Sequence, residues 1–146
     1  MGARIIGIGS AIPPIRLTNY DLEQKVDTSD EWIISRTGIS ERRIAPEDVP
    51  TSSLVTEASK RALARAGIEA DQIDALIVGT ATPDTLFPST ACWAQPKIGL
   101  RSVPVFDVSA ACSGFLYGLV IADSLIATRK ARYVLLVGAE ILSRVV

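Results

Sequence analysis

The stretch Pro104-Val105-Phe106-Asp107-Val108-Ser109-Ala110-Ala111-Cys112-Ser113-Gly114-Phe115-Leu116-Tyr117-Gly118-Leu119-Val120-Ile121 decides how this chain folds. Its opening residues form an apolar run of strand length, and Ser113 onward reads as a buried helix. Cys112 stands at the corner between them. At such a corner the N–H groups of the helix favour a thiolate, the form of sulfur that attacks a carbonyl carbon. Ala110, Ala111, Ser113 and Gly114 are small enough to let a carbonyl reach the sulfur. Gly114 and Gly118 would allow a neighbouring backbone to pack closely against the helix. The competing reading is a cysteine that packs as a small hydrophobe. Cys92, inside an expected helix without a charged partner, takes that second reading. The chain contains no histidine, so it offers Cys112 no imidazole base. The sequence suggests half of an active site.

Working outward, strands and helices alternate. Arg4 to Gly9 reads as a first strand, ended by Pro13 and Pro14. Asn19 is placed to cap a short helix running to Lys25. A second helix opens at Thr28, where Thr28 and Glu31 have capping-box spacing, and Gly38 closes it. A longer helix runs from Ser52 or Ser53 to Gly67, with Leu54, Ala58, Ala62 and Ala66 as its inward stripe. Ala75 to Thr80 is a fully apolar strand. Ser89 to Ile98 is helical, entered through Pro88 and closed by Gly99. Val103 to Val108, the helix from Ser113 to Thr128, and Arg132 to Gly138 complete the pattern. Continuous apolar strands flanked by helices imply an α/β fold with a mostly parallel sheet covered on both faces. Residues 1–146 form one folding unit, without repeats or an obvious linker. Ending just past a strand, at Ile141 to Val146, it reads as a truncation.

Composition narrows the function. At 48% apolar against 21% charged residues, the chain is a folded globular one. A net charge of −1 with no basic cluster provides no electrostatic footprint for nucleic acid. Two cysteines are too few for a disulfide framework, which points to reduced thiols in a cytoplasmic protein. The apolar stretch from Gly114 to Ala122 is interrupted by Asp123 and is too short to span a bilayer.

Two further constellations bear on chemistry. Trp32 and Arg36 are four residues apart on one expected helix, so they share a face. An indole and a guanidinium there could hold a flat anionic ligand by stacking and by pairing with phosphate. The alternative is a tryptophan in the core and an arginine at the surface. The loop Thr82 to Pro88 follows a strand of a parallel sheet, at the end where ligands bind. Phe87 on that loop could line an apolar pocket or fill a subunit contact. Asp107 is read as structural.

Three segments together resemble the β-ketoacyl-acyl-carrier-protein synthase III family of the thiolase superfamily. They are Asp27-Thr-Ser-Asp-Glu-Trp-Ile-Ile-Ser-Arg-Thr-Gly-Ile39, Phe87-Pro-Ser-Thr-Ala-Cys92 and Phe106-Asp-Val-Ser-Ala-Ala-Cys-Ser-Gly-Phe115. The resemblance extends over the whole chain, from Ile5 to Leu142. It implies the N-terminal half of a thiolase-like fold, truncated before the fifth strand of its sheet, with four strands legible here. It also implies an acyltransferase that initiates fatty-acid biosynthesis. Cys112 would take an acyl group from acyl-coenzyme A, and the intact enzyme would condense it with malonyl-acyl-carrier protein, releasing carbon dioxide. Trp32 would stack on the adenine, and Arg36, with Thr28 and Thr37 nearby, would contact the nucleotide. Phe87 would line the acyl pocket of the partner subunit in a homodimer, and Leu142 the pocket of its own.

The resemblance implies no metal and no cofactor, since acyl-coenzyme A is a substrate. The family draws a histidine and an asparagine from its second half. Asn19, the one asparagine here, lies in no matching motif, so this chain alone is expected not to condense. The strand ending at Val108 is expected at a sheet edge, pairing with its two-fold mate. Three rivals differ in chemistry. One is another thiolase-superfamily enzyme, such as a 3-hydroxy-3-methylglutaryl-CoA synthase. Another is a naturally short acyl-coenzyme A-binding chain or split-enzyme subunit. The third is a cysteine α/β-hydrolase, because Ala110-x-Cys112-x-Gly114 loosely mimics a nucleophile elbow.

Overall fold

The computed structural model describes residues 2–145. Three strands form a parallel sheet: β3 (Ala75–Gly79) in the centre, β4 (Val105–Val108) on one edge and β5 (Val134–Gly138) on the other. A separate two-stranded antiparallel ribbon pairs β1 (Ile15–Thr18) with β2 (Glu41–Ile44). Between these ribbon strands lie α1 (Asn19–Glu23) and α2 (Asp30–Thr37). Three longer helices cover the parallel sheet: α3 (Thr51–Ala66), α4 (Thr90–Ile98) and α5 (Gly114–Ala127).

Side-chain alternation along the strands divides the core. Leu76 and Val78 of β3, with Leu135 and Val137 of β5, pack against Val55 and Leu63 of α3 and Ala91, Ala94 and Ile98 of α4. Every residue of β3 is buried, as a central parallel strand requires. On the opposite face, α5 lies across β3 and β5, with Gly118 against Leu136 and Ile77. The α/β reading therefore holds, with helices on both faces of the sheet.

Several expectations are corrected. Arg4 to Gly9 makes no strand. It runs beside α3, whose side chains meet the main chain there and just beyond: Arg65 donates to the Ile8 carbonyl and Arg61 to that of Ser10. A groove of about 1070 Å³, lined by Ile5, Ile8, Leu119 and Val134 among others, separates it from β5. The parallel sheet accordingly has three of the four expected strands. The inward stripe of α3 is displaced by one residue: Val55, Ser59 and Leu63 are buried. Ala58 and Ala62 instead let the N-terminal segment come close, and a Cβ on Gly9 would lie 2.2 Å from the Ala58 carbonyl oxygen. The helix expected from Thr28 is capped by Ser29, whose hydroxyl accepts from Trp32 N–H at 3.1 Å. Nor does Asn19 cap a helix. Thr18 does so, in a reciprocal capping box with Asp21. The apolar stretch read as a buried helix buries Gly114, Gly118 and Ala122 but leaves Leu116, Tyr117 and Val120 exposed. Only one side of α5 meets the sheet.

Candidate active site

Parallel strands put all their C-terminal ends on one edge, and the loops leaving those ends carry Phe87, Cys112 and Leu142. Cys112 lies in a short 3-10 turn, Ala111–Ser113, that joins β4 to α5, and its side chain is exposed. Ala111 has φ 45°, a left-handed conformation uncommon for a residue with a side chain. Such strain persists where surrounding structure over-determines the backbone, and it clusters at functional sites.

The determinant here is close backbone packing. A Cβ on Gly79 would sit 2.8 Å from the Gly114 carbonyl carbon and 2.9 Å from the Phe115 nitrogen. With glycine at both positions, the start of α5 descends onto the end of β3 and fixes where the cysteine turn emerges. Gly118 contributes differently from the expectation: it meets the side chain of Leu136 rather than a backbone. Asp107 turns away from the thiol. Its two oxygens accept from the N–H groups of Thr90 and Ala91 at 2.7 and 2.8 Å, completing the first turn of α4.

The loop bearing Phe87 is held firmly while its tip faces solvent. Thr51 donates to the Thr82 carbonyl at 2.7 Å, and Asp84 accepts from Ser52 N–H at 2.9 Å. The Trp93 indole donates to Thr85 at 2.9 Å. Between those anchors Leu86 is 98% and Phe87 89% exposed. Glu140 accepts from Ala81 N–H at 2.8 Å and from the Thr82 hydroxyl at 2.6 Å, locking the loop to the segment that carries Leu142. Leu142 itself is exposed. Arg144, two residues on, donates to the carbonyls of Pro46, Glu47 and Val49, tying this segment to the stretch that follows β2.

The second constellation sits on α2. Trp32 is 58% exposed, which excludes the core reading, and the Arg36 guanidinium lies 5.9 Å from its ring centroid. Thr28 and Trp32 line one shallow pocket with Asp27 and Ser29, of about 330 Å³. Thr37 stands apart from that pocket. Its hydroxyl donates to the Ile33 carbonyl at 2.7 Å and accepts from Ile39 N–H at 3.1 Å, closing its own helix. An aromatic face, a guanidinium and a neighbouring hydroxyl make a surface suited to a nucleotide. The exposed thiol is suited to acyl transfer.

Comparisons with known proteins bear on the chain as a whole. A family model described as 3-oxoacyl-acyl-carrier-protein synthase III matches residues 106–146, the stretch that contains Cys112. A β-ketoacyl-acyl-carrier-protein synthase III of Geobacillus kaustophilus is 52% identical over 99% of this chain and 47% of its own length. The crystal structure of 3-oxoacyl-acyl-carrier-protein synthase III from Aquifex aeolicus superposes with a TM-score of 0.94 at 52% identity, covering 98% of this chain and 46% of that one. That from Pseudomonas aeruginosa gives 0.92 at 41% identity, covering 99% and 44%. Over its length the chain matches the N-terminal portion of 3-oxoacyl-acyl-carrier-protein synthase III proteins. It spans about half the length of the curated relatives it matches.

Relatives 51–53% identical over nearly the whole chain are synthase III proteins, which favours that reading over the hydrolase and 3-hydroxy-3-methylglutaryl-CoA synthase ones. β4 does lie at a sheet edge, as expected. Among the described residues no helix is long and apolar enough to cross a membrane. Sequence reasoning passed over Glu140 and Arg144, which organise the site's loops. Their partners are largely main-chain groups, which leave no signature in a sequence.

Proposed function

We propose that Cys112 accepts an acyl group from acyl-coenzyme A seated along α2, and that the intact enzyme condenses the resulting thioester with malonyl-acyl-carrier protein. The observation that carries this reading is the exposed Cys112 thiol, set in a strained turn at the C-terminal edge of the parallel sheet. In the first half-reaction the thiolate adds to the thioester carbonyl. The tetrahedral oxyanion then collapses, the bond to the sulfur of coenzyme A breaks, and that sulfur leaves as a thiolate. In the second, the malonyl thioester loses carbon dioxide, and its electron pair forms the new carbon–carbon bond at the acyl carbon. The Cys112 sulfur is released as a thiolate, ready for another cycle.

Both steps build negative charge on oxygen, which needs preorganised donors. The family's histidine and asparagine are assigned to the part of the enzyme beyond the span of this chain, which contains no histidine. The exposed face of α5 is where that remaining part packs. Trp32 stacks on the adenine, Arg36 pairs with phosphate, and Thr28 and Thr37 lie beside the nucleotide. Phe87, held out on its anchored loop, reaches the acyl pocket of a partner subunit across the open edge of β4, while Leu142 lines the pocket of its own subunit.

Intact-mass measurement after incubation with acetyl-coenzyme A tests the first half-reaction. One acetyl group should be gained, retained in Cys92→Ala and lost in Cys112→Ala. A gain that survives in Cys112→Ala would overturn the assignment.

A further inference from the structure

Asn19 serves no cap, yet its side chain is completely buried and every polar position on it is used. Nδ2 donates to Asp30 Oδ1 and to the Ile39 carbonyl, both at 2.8 Å. Oδ1 accepts from Arg42 Nη1 at 2.6 Å. Its backbone N–H donates to the Ser40 carbonyl at 3.2 Å. Asp30 is the first residue of α2, Ile39 follows the glycine that ends it, and Arg42 lies on β2. One amide therefore joins the start of α2, the chain leaving α2, and the ribbon. Glu23 supports the same point, accepting from Asp30 N–H at 2.6 Å.

This matters because α2 has little else to hold it. It is eight residues long, a length at which an isolated helix is marginal, and it buries only Ile33. Trp32 and Arg36 project outward and contribute no anchorage in the core. The orientation of that outward face is therefore set by hydrogen bonds beneath it, and Asn19 is where they converge. We infer that Asn19 is a positioning residue for coenzyme A: it touches no substrate, but its amide fixes the helix that presents Trp32 and Arg36. The inference rests on α2 being the nucleotide-binding surface.

Asn19→Asp nearly preserves volume and the contact with Arg42. It removes both donors and sets a carboxylate against that of Asp30. Calorimetric titration with coenzyme A should show about tenfold weaker binding, the loss of roughly one to two net hydrogen bonds. The rate at which iodoacetamide alkylates Cys112, followed by peptide mapping, should be unchanged, since the cysteine turn is built on other elements. The exchange Asn19→Asp with Asp30→Asn restores a donor–acceptor pair and should recover part of the affinity. Asp30→Ala removes one acceptor alone and should produce a smaller loss, which decides the matter if Asn19→Asp does not fold.

Trp32→Ala separates this inference from the one beneath it. Should Trp32→Ala bind coenzyme A as well as the parent, or the parent fail to bind, α2 is not the nucleotide surface and both readings fall. If Trp32→Ala weakens binding while Asn19→Asp and Asp30→Ala do not, the role of Asn19 alone is overturned. The same follows if Asn19→Asp alters Cys112 alkylation as much as binding, because that marks a general structural role.

Discussion

The ribbon region, residues 15–44, and the cysteine corner, around Gly79 and Gly114, present chemistry by opposite means. In the ribbon region a short helix with one buried side chain is steered by polar contacts to Asn19 and Glu23, with Arg42 holding the Asn19 amide from the other side. At the corner two glycines bring backbone onto backbone, above a β3 that is buried throughout. Polar steering leaves a large aromatic and a cation free to face solvent. Backbone packing fixes the direction of one small nucleophile and tolerates almost no added volume. The two regions should therefore fail differently when altered.

Gly79→Ala attacks the corner directly. The added methyl has no flexible side chain to displace, so urea unfolding should show a loss of about 1–3 kcal/mol, the usual penalty for overpacking. Acetylation of Cys112 should slow along with it. A substitution tolerated without cost would mean the Gly79–Gly114 contact does not define the corner.

Trp32→Ala should behave in the opposite way. With most of its surface already in water, the tryptophan contributes little to folding, and its removal should keep stability within about 0.5 kcal/mol of the parent. Only coenzyme A affinity should fall. A large loss in denaturant stability would show that α2 is held by its tryptophan after all, and would erase the contrast.

Acid sharpens the comparison from the side of the sheet. Burial pushes the Asp74 carboxyl upward, but hydrogen bonds from the N–H groups of Arg132 and Tyr133, and the Arg101 guanidinium, together hold it below its ordinary value. The folded state thus binds this proton less readily than the unfolded chain. Asp74 adds stability above the unfolded-state value, near pH 4, and that contribution disappears as pH falls through the lower folded-state value. Denaturation at a series of pH values should show a shallower acid limb in Asp74→Asn than in the parent; superimposable limbs would deny Asp74 this role.

The smallest effect is expected at the strained turn. Ala111→Gly relieves a left-handed alanine but loosens the unfolded chain, so stability should rise by roughly 0.5 kcal/mol. If the strain holds the thiol in place, acetylation should slow despite the gain. An unchanged rate would make the strain incidental.

Much of the corner was legible because its causes are local. Strand, small residues, cysteine and apolar helix follow one another in the chain, and Gly38, Gly67 and Gly99 end helices in left-handed conformations as their positions suggest. The ribbon was not legible. Ile15-Arg-Leu-Thr18 and Glu41-Arg-Arg-Ile44 are short and partly charged, and only pairing with each other makes them strands. Arg4 to Gly9 failed in reverse: its apolar composition suits a strand, but among the described residues no neighbour completes a ladder, and it packs on alanines of α3. The Trp32–Arg36 face followed from helical spacing, whereas its exposure did not.

Local patterning sufficed for the alternation of the three parallel strands with their helices, the placement of Cys112 at a strand-to-helix corner, and the pairing of Trp32 with Arg36, because periodicity and glycine stops act over a few residues. Tertiary structure alone decided that Asn19 is buried under α2, that Asp107 serves α4 and not the thiol, and that Glu140 and Arg144 join the loops around the site. Those are contacts between residues distant in the chain. A hydrogen bond to a backbone carbonyl can be made by any donor that geometry delivers, so only the folded arrangement reveals which donor that is.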